Sequence, residues 1–272
     1  MTATTDATRS HRRPAPLRAT VSQKTQLSPH LVRVTVTGPA LAGFAYPGPA
    51  SHFKLLLPAP GTRKLILPSP GDDGLVSFDP AAPLIMRTYT ARAFRPEVNE
   101  VDIDVFLHGD GPASTWAATA RPGEEIAVTS PRRSGFHVPE SARWVLLAAD
   151  SSAIPAVATI LEVERSLPIR CVIEVDDASD RVELPDQSSA SVHWRTRGAD
   201  TAPGSILLSA LRDGLPAGPG FCWVAGEASA IRQARTYLVA DGRLDRRSVV
   251  TRGYWRLGAV NHPDYDDGTG VI

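Results

Sequence analysis

The segment from residue 87 to residue 90 carries side chains that suit a ligand with phosphates and a flat ring. It reads Arg87-Thr88-Tyr89-Thr90, so an extended strand would place Arg87 and Tyr89 on one face and the two threonines on the other. Arginine binds phosphate through several planar contacts, tyrosine offers a stacking surface, and threonine is a compact hydrogen-bonding group. A flavin nucleotide needs all three groups, although the same four residues also fit an ordinary half-exposed strand.

A glycine-containing turn a short distance downstream could approach the phosphates of such a ligand. Residues 108–111 read His-Gly-Asp-Gly, and a short helix is predicted from residue 113 to residue 119. Glycines let the backbone come close to a ligand, and the N–H groups at a helix N-terminus suit phosphate. Asp104 and Phe106 lie on the strand face that leads into this turn. The alternative interpretation is a hairpin turn followed by an ordinary helix start.

Several other kinds of site are excluded or unsupported. The chain contains neither a Gly-x-Gly-x-x-Gly fingerprint nor a P-loop, so a conventional Rossmann flavin site is not expected. Its two cysteines, Cys171 and Cys222, lie far apart in apolar strand-like runs and are interpreted as reduced, buried residues. They cannot hold an iron–sulfur cluster, the histidines show no metal-ligand spacing, and we predict no metal site. Residue order gives no support to a serine hydrolase.

Composition and charge argue against a nucleic-acid or membrane protein. The 272 residues include 29 Lys plus Arg and 29 Asp plus Glu, so the formal net charge is zero. A neutral chain is not expected to bind nucleic acid or a membrane surface in general. Residues 1–18 lack the apolar core of a secretory signal, and no run is long enough to span a membrane. We therefore expect a soluble cytoplasmic protein.

Two patterns of secondary structure divide the chain near Pro139. Before this residue, short alternating strands are separated by proline and glycine turns, which is typical of an antiparallel barrel. After it, strands alternate with helices, which indicates a parallel sheet that is covered on both faces and binds ligands beyond the carboxyl ends of its strands. The predicted strands are 32–36, 52–57, 101–107, 126–128, 144–149, 169–175, 192–196, 221–225 and 248–252. The later predicted helices are 154–161, with Ser151 or Ser152 as its N-cap, 205–213 and 229–240.

Four short motifs occur in an order that is similar to that of one known family. They are Arg-x-Tyr-Thr-x-Arg at 87–92, His-Gly-Asp-Gly-Pro-Ala-Ser at 108–114, Ala-Gly-Glu-Ala-Ser at 225–229 and Gly-Tyr-Trp-Arg at 253–256. From about residue 17 to residue 258 the chain resembles the siderophore-interacting proteins, which are ferric-siderophore reductases within the ferredoxin-NADP reductase-like superfamily. The resemblance implies an N-terminal antiparallel six-stranded β-barrel that binds FAD. A C-terminal α/β parallel-sheet domain that binds a nicotinamide nucleotide would follow it.

The resemblance also implies how the chain is divided and where it departs from the family. The four parts would be a flexible tail at 1–16, the FAD domain at 17–138, the NAD(P)H domain at 139–258 and a C-terminal tail at 259–272. Ser151 stands where the family commonly has a carboxylate, although Ser152 keeps the family's hydroxyl. Leu257 replaces a basic residue, and the Pro-Arg-Arg-Ser-Gly turn at 131–135 differs in spacing from the family's turn.

Individual residues receive roles from the same resemblance. Thr90 and Tyr89 would act on the flavin ring, the first by tuning it and the second by packing against it. The cofactor-binding residues would be Arg87, Thr88, Tyr89, Thr90, Arg92, Asp104, Phe106, His108, Gly111, Pro112, Ala113, Ser114, Asp150, Ser152, Gly226, Glu227, Ser229 and Trp255. Four basic residues near the C-terminus would bind an anionic iron chelate or, alternatively, the phosphates of the nucleotide. A solvated surface is the other interpretation of these residues. These residues are Arg246, Arg247, Arg252 and Arg256.

The implied reaction carries electrons from NADH or NADPH through FAD to Fe(III) in a siderophore and releases Fe(II). A monomer is expected, with reduced ferredoxin as an alternative electron donor. Two other functions stay open, namely a general flavin reductase or diaphorase on the same fold and a non-enzymatic module that binds iron chelates or nucleotides. Glu174, Asp176 and Asp177 end the second strand of the nucleotide domain, where a carboxylate would bond a ribose hydroxyl and disfavour a 2′-phosphate. Arginines elsewhere would do the reverse, so the choice between NADH and NADPH is open.

Overall fold

The computed structural model describes most of the chain. The described residues are 15–259 except 60, 63, 71–75, 78–83, 110, 134, 187 and 241. Asp110 of the glycine-containing turn, Ser134 of the turn at 131–135 and nearly all of both predicted tails therefore lie outside the described residues. No helix among the described residues is long and apolar enough to cross a membrane.

An antiparallel sheet forms the N-terminal half. Its elements are β1 (Leu17–Ser28), β2 (Leu31–Thr37), β3 (His52–Pro58), β4 (Ser69–Pro70), β5 (Val76–Ser77), β6 (Leu84–Thr90), β7 (Ala93–Arg95), β8 (Glu100–Phe106), helix α1 (Pro112–Thr119) and β9 (Glu125–Val128). Seven of these strands form one sheet in the order β6-β3-β9-β1-β2-β8-β7, and β4 pairs with β5. Strand β6 also contacts β8, which is not its hydrogen-bonded neighbour, so the sheet curls toward a barrel.

The predicted count of six barrel strands is wrong, because the described residues form a sheet of seven. The additional strand is the short β7, which pairs with β8. Arg95 fixes this pairing, since its guanidinium donates to both carboxylate oxygens of Asp102 at 2.8 Å and to Glu100 at 3.1 Å. A three-residue strand has too little alternation to be recognised in the sequence. These charged side chains fix its position beside β8, and Phe94 packs against the core of the sheet.

Alternating apolar side chains build the core of the antiparallel sheet. On β2, the side chains of Val32, Val34 and Val36 are buried, as are those of Val101 and Ile103 on β8. Both strands were predicted from this period-2 pattern, in which one face of the strand enters the core. The antiparallel register of β2 with β8 stacks the two apolar rows in one cluster.

A parallel sheet forms the C-terminal half. Its elements are β10 (Val145–Asp150), α2 (Ile154–Val163), β11 (Ile169–Val175), β12 (Ala190–Thr196), α3 (Ser205–Arg212), β13 (Phe221–Glu227), α4 (Ala228–Arg235) and β14 (Val249–Trp255). All strands run parallel in the order β12-β11-β10-β13-β14, so the strand order reverses between β10 and β13. Helix α2 packs on one face, and α3 and α4 pack on the other. The predicted parallel sheet with both faces covered is confirmed.

Two details of the predicted helices differ from the structure. The carboxylate of Asp150, not a serine, accepts the N–H of Ser152 at 3.0 Å and opens a short 3₁₀ turn at Ser151–Ala153 ahead of α2. The predicted helix at 229–240 is α4 followed by a π-helical turn at Thr236–Ala240. Both cysteines are buried and unpaired, and burial raises the pKa of each thiol to about 12, so they are packing residues.

Polar contacts join the two sheets across a buried boundary. The backbone N–H of Ala50 donates to Thr159 Oγ1 of α2 at 2.8 Å, and the Thr159 hydroxyl donates to the carbonyl of Ala156 at 2.7 Å. Asp180, which is 1% exposed, accepts from Ser28 Oγ at 3.0 Å and from the backbone N–H of His30 at 3.1 Å. Because these groups are buried and mutually satisfied, they fix the position of one sheet against the other.

Replacing Thr159 by valine tests this boundary. The valine side chain has nearly the same shape but leaves the buried N–H of Ala50 without its acceptor, which should lower the free energy of unfolding by about 1–3 kcal/mol. Thr159→Ser keeps the hydroxyl and removes one methyl group, which should cost about 1 kcal/mol or less. Urea unfolding of both variants measures the difference. A valine variant as stable as the serine variant would show that this hydrogen bond does not hold the boundary.

Candidate functional site

Strand β6 presents the predicted ring- and phosphate-binding residues in the expected alternation. Tyr89 packs against the core of the antiparallel sheet, and Arg87 lies on the same face of the strand. Thr88 lies on the opposite face, where its hydroxyl accepts from Lys54 Nζ at 2.7 Å. Strand β6 ends the seven-stranded sheet, and residues 84–89 are only half-buried. One side of the strand is therefore accessible to a ligand.

Charge and burial at β6 suit a neutral aromatic beside a cation. Burial raises the pKa of Tyr89 to about 12, and the positive charge of Arg87 opposes this shift. The phenol is therefore protonated throughout the physiological range and can stack or donate a hydrogen bond. Arg87 Nη1 donates to the carbonyl of Met86 at 2.9 Å, which anchors the guanidinium beside the strand.

Helix α1 brings its N-terminus to the same region. It contacts both β6 and β8, and its N-cap is Gly111, with no side chain of the described residues capping the first turn. The turn before it is held by Ser114 Oγ, which accepts the backbone N–H of His108 at 3.0 Å. Gly109 has a φ of 50°, a left-handed conformation that glycine adopts without strain. The helix thus presents the backbone N–H groups of Ala113 and Ser114 in its first turn to an anion, since Pro112 has no N–H.

Three predicted cofactor residues are engaged elsewhere. Asp104 is buried and receives two hydrogen bonds from Arg33, at 2.7 and 2.8 Å, with Arg92 Nε at 3.9 Å from its other side. Arg92 Nη1 also contacts Glu162 of α2 at 2.8 Å, so this arginine joins the two sheets. Phe106 packs against the core of the parallel sheet. Their contact with a flavin stays a prediction, and the structure gives all three a role in the boundary.

The carboxyl ends of β10, β13 and β14 meet at Asp150. This carboxylate is buried and accepts from Ser152 Oγ at 2.5 Å and from Trp255 Nε1 at 2.8 Å. Gly226 has a φ of 153°, and a Cβ at this position would lie 2.5 Å from Asp150 Oδ2, so only glycine fits. Burial raises the pKa of Asp150, while its hydrogen bonds from Ser152, Trp255 and the backbone of Glu227 oppose the shift.

The side chain of Glu227 points into the protein and caps the start of α4. Its Oε2 accepts the backbone N–H groups of Ser229 at 2.7 Å and Ala230 at 3.0 Å. Its Oε1 accepts the N–H of Leu257 at 3.3 Å, which ties the end of β14 to the start of the helix. A nucleotide contact at Glu227 and Ser229 stays a prediction, and it would have to use groups other than these.

Tyr254 is a site residue that the sequence analysis missed. Its hydroxyl lies close to the side chain of Thr90, so the last strand of the parallel sheet approaches the end of β6. Its ring meets that of buried Trp223 edge-on, with centroids 6.5 Å apart, and burial raises its pKa to about 12. The available signal was its place in the Gly-Tyr-Trp-Arg motif beside Trp255, but alternation alone could not show which partner it meets.

The four C-terminal arginines do not form one cluster. Arg246 and Arg247 are exposed and precede the amino end of β14, whereas Arg256 follows its carboxyl end. A seven-residue strand places these ends about 20 Å apart. Arg252 lies within β14, where its Nη1 donates to the carbonyl of Thr251 at 2.9 Å. Arg252 and Arg256 therefore belong to the carboxyl half of the strand, and Arg246 and Arg247 to the opposite edge.

Known protein families and structures match the whole described architecture. Residues 20–135 match the model of the siderophore-interacting FAD-binding domain, and residues 142–258 match that of the siderophore-interacting protein. Ferric vibriobactin reductase ViuB of Vibrio cholerae is 31% identical over 254 residues, which cover 92% of this chain and 92% of that protein. A siderophore utilization protein from T. fusca is 33% identical with a TM-score of 0.80, covering 92% of this chain and 95% of that one.

A more distant neighbour shows the fold alone. The ferredoxin reductase in carbazole 1,9a-dioxygenase is 17% identical and aligns with a TM-score of 0.64 over 89% of this chain and 70% of that one. The predicted ferredoxin reductase-like architecture is therefore confirmed apart from the number of barrel strands.

Replacing Asp150 by asparagine tests the cluster at the carboxyl ends. Asparagine keeps one acceptor oxygen, so its NH2 group would face the donors of either Ser152 or Trp255, and the loss of those bonds should cost about 2 kcal/mol or more. Ser152→Ala removes one donor and leaves the bond to Trp255, so it should cost about 1 kcal/mol. Urea unfolding and tryptophan emission measure both effects. An Asp150→Asn protein with wild-type stability and emission would contradict this role of the carboxylate.

Proposed function

Because the chain belongs to the siderophore-interacting protein family, we propose that it is an FAD-dependent reductase that uses NAD(P)H to reduce ferric siderophores. One structural observation supports the flavin assignment most strongly. Strand β6, with the partly exposed Arg87 and Tyr89 on the same face, contacts helix α1, whose first turn has no capping side chain among the described residues. A cation, an aromatic ring and free backbone donors at one place fit a flavin nucleotide.

Each residue of this region has a separate task in holding FAD. Arg87 and the first turn of α1 bind the pyrophosphate, because both offer hydrogen-bond donors of positive character. Tyr89 packs beside the ring system as a neutral phenol, which its raised pKa ensures. Thr90 lies at the ring end of the strand, close to the hydroxyl of Tyr254. Bound FAD would supply the redox chemistry that links a two-electron donor, NAD(P)H, to a one-electron acceptor, Fe(III).

The nicotinamide nucleotide binds at the carboxyl edge of the parallel sheet. Ligands of open parallel sheets bind where the strand order reverses, which here is between β10 and β13. Asp150 ends β10 at this point, Ser152 lies in the turn that follows, and Gly226 of β13 lets the Asp150 carboxylate pack against its backbone. Because Tyr254 of β14 touches Thr90 of β6, the nucleotide edge and the flavin strand adjoin. Electrons can therefore pass between the two ligands without a large movement of the protein.

The ferric siderophore is the substrate and binds near the same boundary. Arg252 lies in the carboxyl half of β14, Arg256 directly follows the strand, and both can neutralise an anionic chelate. Arg246 and Arg247 lie near the amino end of the strand. Reduction to Fe(II) weakens the hold of hard oxygen ligands on the metal, so the iron is released. A general flavin reductase and a non-enzymatic module are the outcomes that the experiments below distinguish.

Substitution of Arg87 tests the flavin site. Arg87→Ala should lose FAD on purification, because the phosphate contacts are charge-assisted hydrogen bonds. The control variant Arg246→Ala removes the same charge near the amino end of β14 and should keep its FAD. The ratio of flavin absorbance to protein absorbance measures occupancy. A fully yellow Arg87→Ala protein would show that Arg87 does not hold the flavin.

Steady-state turnover with different electron acceptors tests the substrate. Wild-type protein with FAD and NADH or NADPH should reduce ferric chelates faster than it reduces free flavin or quinones. Preference for free flavin or quinones would favour the general reductase. A protein that binds no FAD at all would favour the non-enzymatic module.

A further inference from the structure

We propose that Asp176 and Arg197 select the nicotinamide nucleotide and that Asp176 makes this chain prefer NADH over NADPH, an inference that rests on the proposed function. The two nucleotides differ by a phosphate on the 2′-hydroxyl of the adenosine ribose. In open parallel sheets an acidic residue after the second strand bonds this hydroxyl, and an arginine nearby accommodates the phosphate. This chain carries both residue types at that edge, in contact with each other.

Strand register brings Asp176 and Arg197 together. Strand β11 ends at Val175 and β12 ends at Thr196, and these two residues are register partners in a parallel pair. Asp176 follows Val175 and Arg197 follows Thr196, so both residues lie just beyond the carboxyl ends of their strands. Strand β11 is the direct neighbour of β10, which ends at Asp150 in the proposed nucleotide crevice.

The contacts of Arg197 hold its guanidinium inward. Nε and Nη2 donate to Asp176 Oδ1 at 2.9 and 2.5 Å, and Nη1 donates to the carbonyl of Thr201 at 2.5 Å. Nε also lies 3.6 Å from Glu174 Oε1. The Arg197 side chain is 16% exposed, whereas that of Asp176 is 61% exposed. An approaching ribose therefore meets the Asp176 carboxylate first. This carboxylate neutralises the charge of Arg197, which lies behind it.

The other two carboxylates at this edge have different tasks. Glu174 is buried and accepts the N–H groups of Gly204 at 2.7 Å and Ile206 at 3.1 Å, at the start of α3. Asp177 accepts the N–H and hydroxyl of Ser179 at 2.8 and 2.7 Å, so it caps its own turn. Asp176 is the carboxylate of the three that is exposed and contacts an arginine.

The charge arrangement produces the preference in two ways. The Asp176 carboxylate can accept a hydrogen bond from the 2′-hydroxyl of NADH. A 2′-phosphate at the same place would be repelled by it, and a built-in repulsive group is an efficient source of specificity. Asp176→Asn keeps the size of the side chain and an oxygen acceptor but removes the negative charge. The same change releases the Arg197 charge for a phosphate.

Binding of the oxidised nucleotides to FAD-loaded protein tests the proposal without turnover. Isothermal titration calorimetry gives Kd for NAD⁺ and for NADP⁺, and the wild-type protein should bind NAD⁺ more tightly. Asp176→Asn should lower the ratio of Kd for NADP⁺ to Kd for NAD⁺ at least about tenfold. The matched control Asp200→Asn removes an equal charge from an exposed residue close to Arg197 in the sequence and should leave the ratio within about twofold.

A second variant shows whether the released arginine is the cause. Asp176→Asn combined with Arg197→Gln should lose the gain in NADP⁺ affinity, and circular dichroism confirms that each variant is folded. The proposal is overturned if wild-type protein prefers NADP⁺ or if Asp176→Asn leaves the ratio unchanged while both nucleotides bind. Absence of binding of either nucleotide to the wild-type protein would overturn the proposed electron donor together with this inference.

Discussion

The contact between Thr90 and Tyr254 is the constraint on which the proposed chemistry depends. Electrons can pass from a nucleotide on the parallel sheet to a ring on the antiparallel sheet only if the two sites adjoin. Strand β6 ends at Thr90 and β14 carries Tyr254 near its carboxyl end, so the close approach of these two side chains brings together the elements that would carry the two proposed sites. The hydrogen bonds at Thr159 and Asp180 lie farther along the same boundary and keep this contact in register.

Asp150 gives the carboxyl edge of the parallel sheet its shape. A buried carboxylate is stable only when donors surround it, and here the donors come from the turn after β10 and from β13 and β14. The same arrangement leaves room only for glycine at position 226 and places the Trp255 indole. A polar cluster of this kind fixes a geometry more than it adds stability, because burial of the charge offsets much of the hydrogen-bond energy.

Local pattern was sufficient to predict the strands and helices that have regular alternation. Strands β2 and β8 alternate valine and isoleucine with polar residues, and β10 is a continuous apolar run, so each was recognised from its own residues. Strand β1 was missed because residues 23–26 are polar and exposed on both faces, which hides the two buried residues at its start. Strand β7 was missed because its pairing depends on charges across the sheet.

The sequence was sufficient to propose residues of the candidate site, but not the side chains that they contact. Arg87, Tyr89 and the turn before α1 could be identified from residue type and order. The sequence also shows that residue 104 is an aspartate. It does not show that Arg33, 71 residues away, donates hydrogen bonds to the Asp104 carboxylate. Tyr254 and Thr90 likewise meet only when two sheets pack together. Side-chain partners distant in sequence follow from tertiary packing, which period and composition do not encode.

Anaerobic reduction of the FAD-loaded protein, followed by addition of a ferric siderophore, measures the central claim most directly. NADH or NADPH should bleach the flavin absorbance, and the ferric siderophore should then restore it while two Fe(II) form for each nucleotide oxidised, because each nucleotide supplies two electrons. Flavin that bleaches but is not reoxidised by the ferric siderophore would contradict the iron acceptor. Flavin that neither nucleotide bleaches would contradict the transfer of electrons across the boundary between the two sheets.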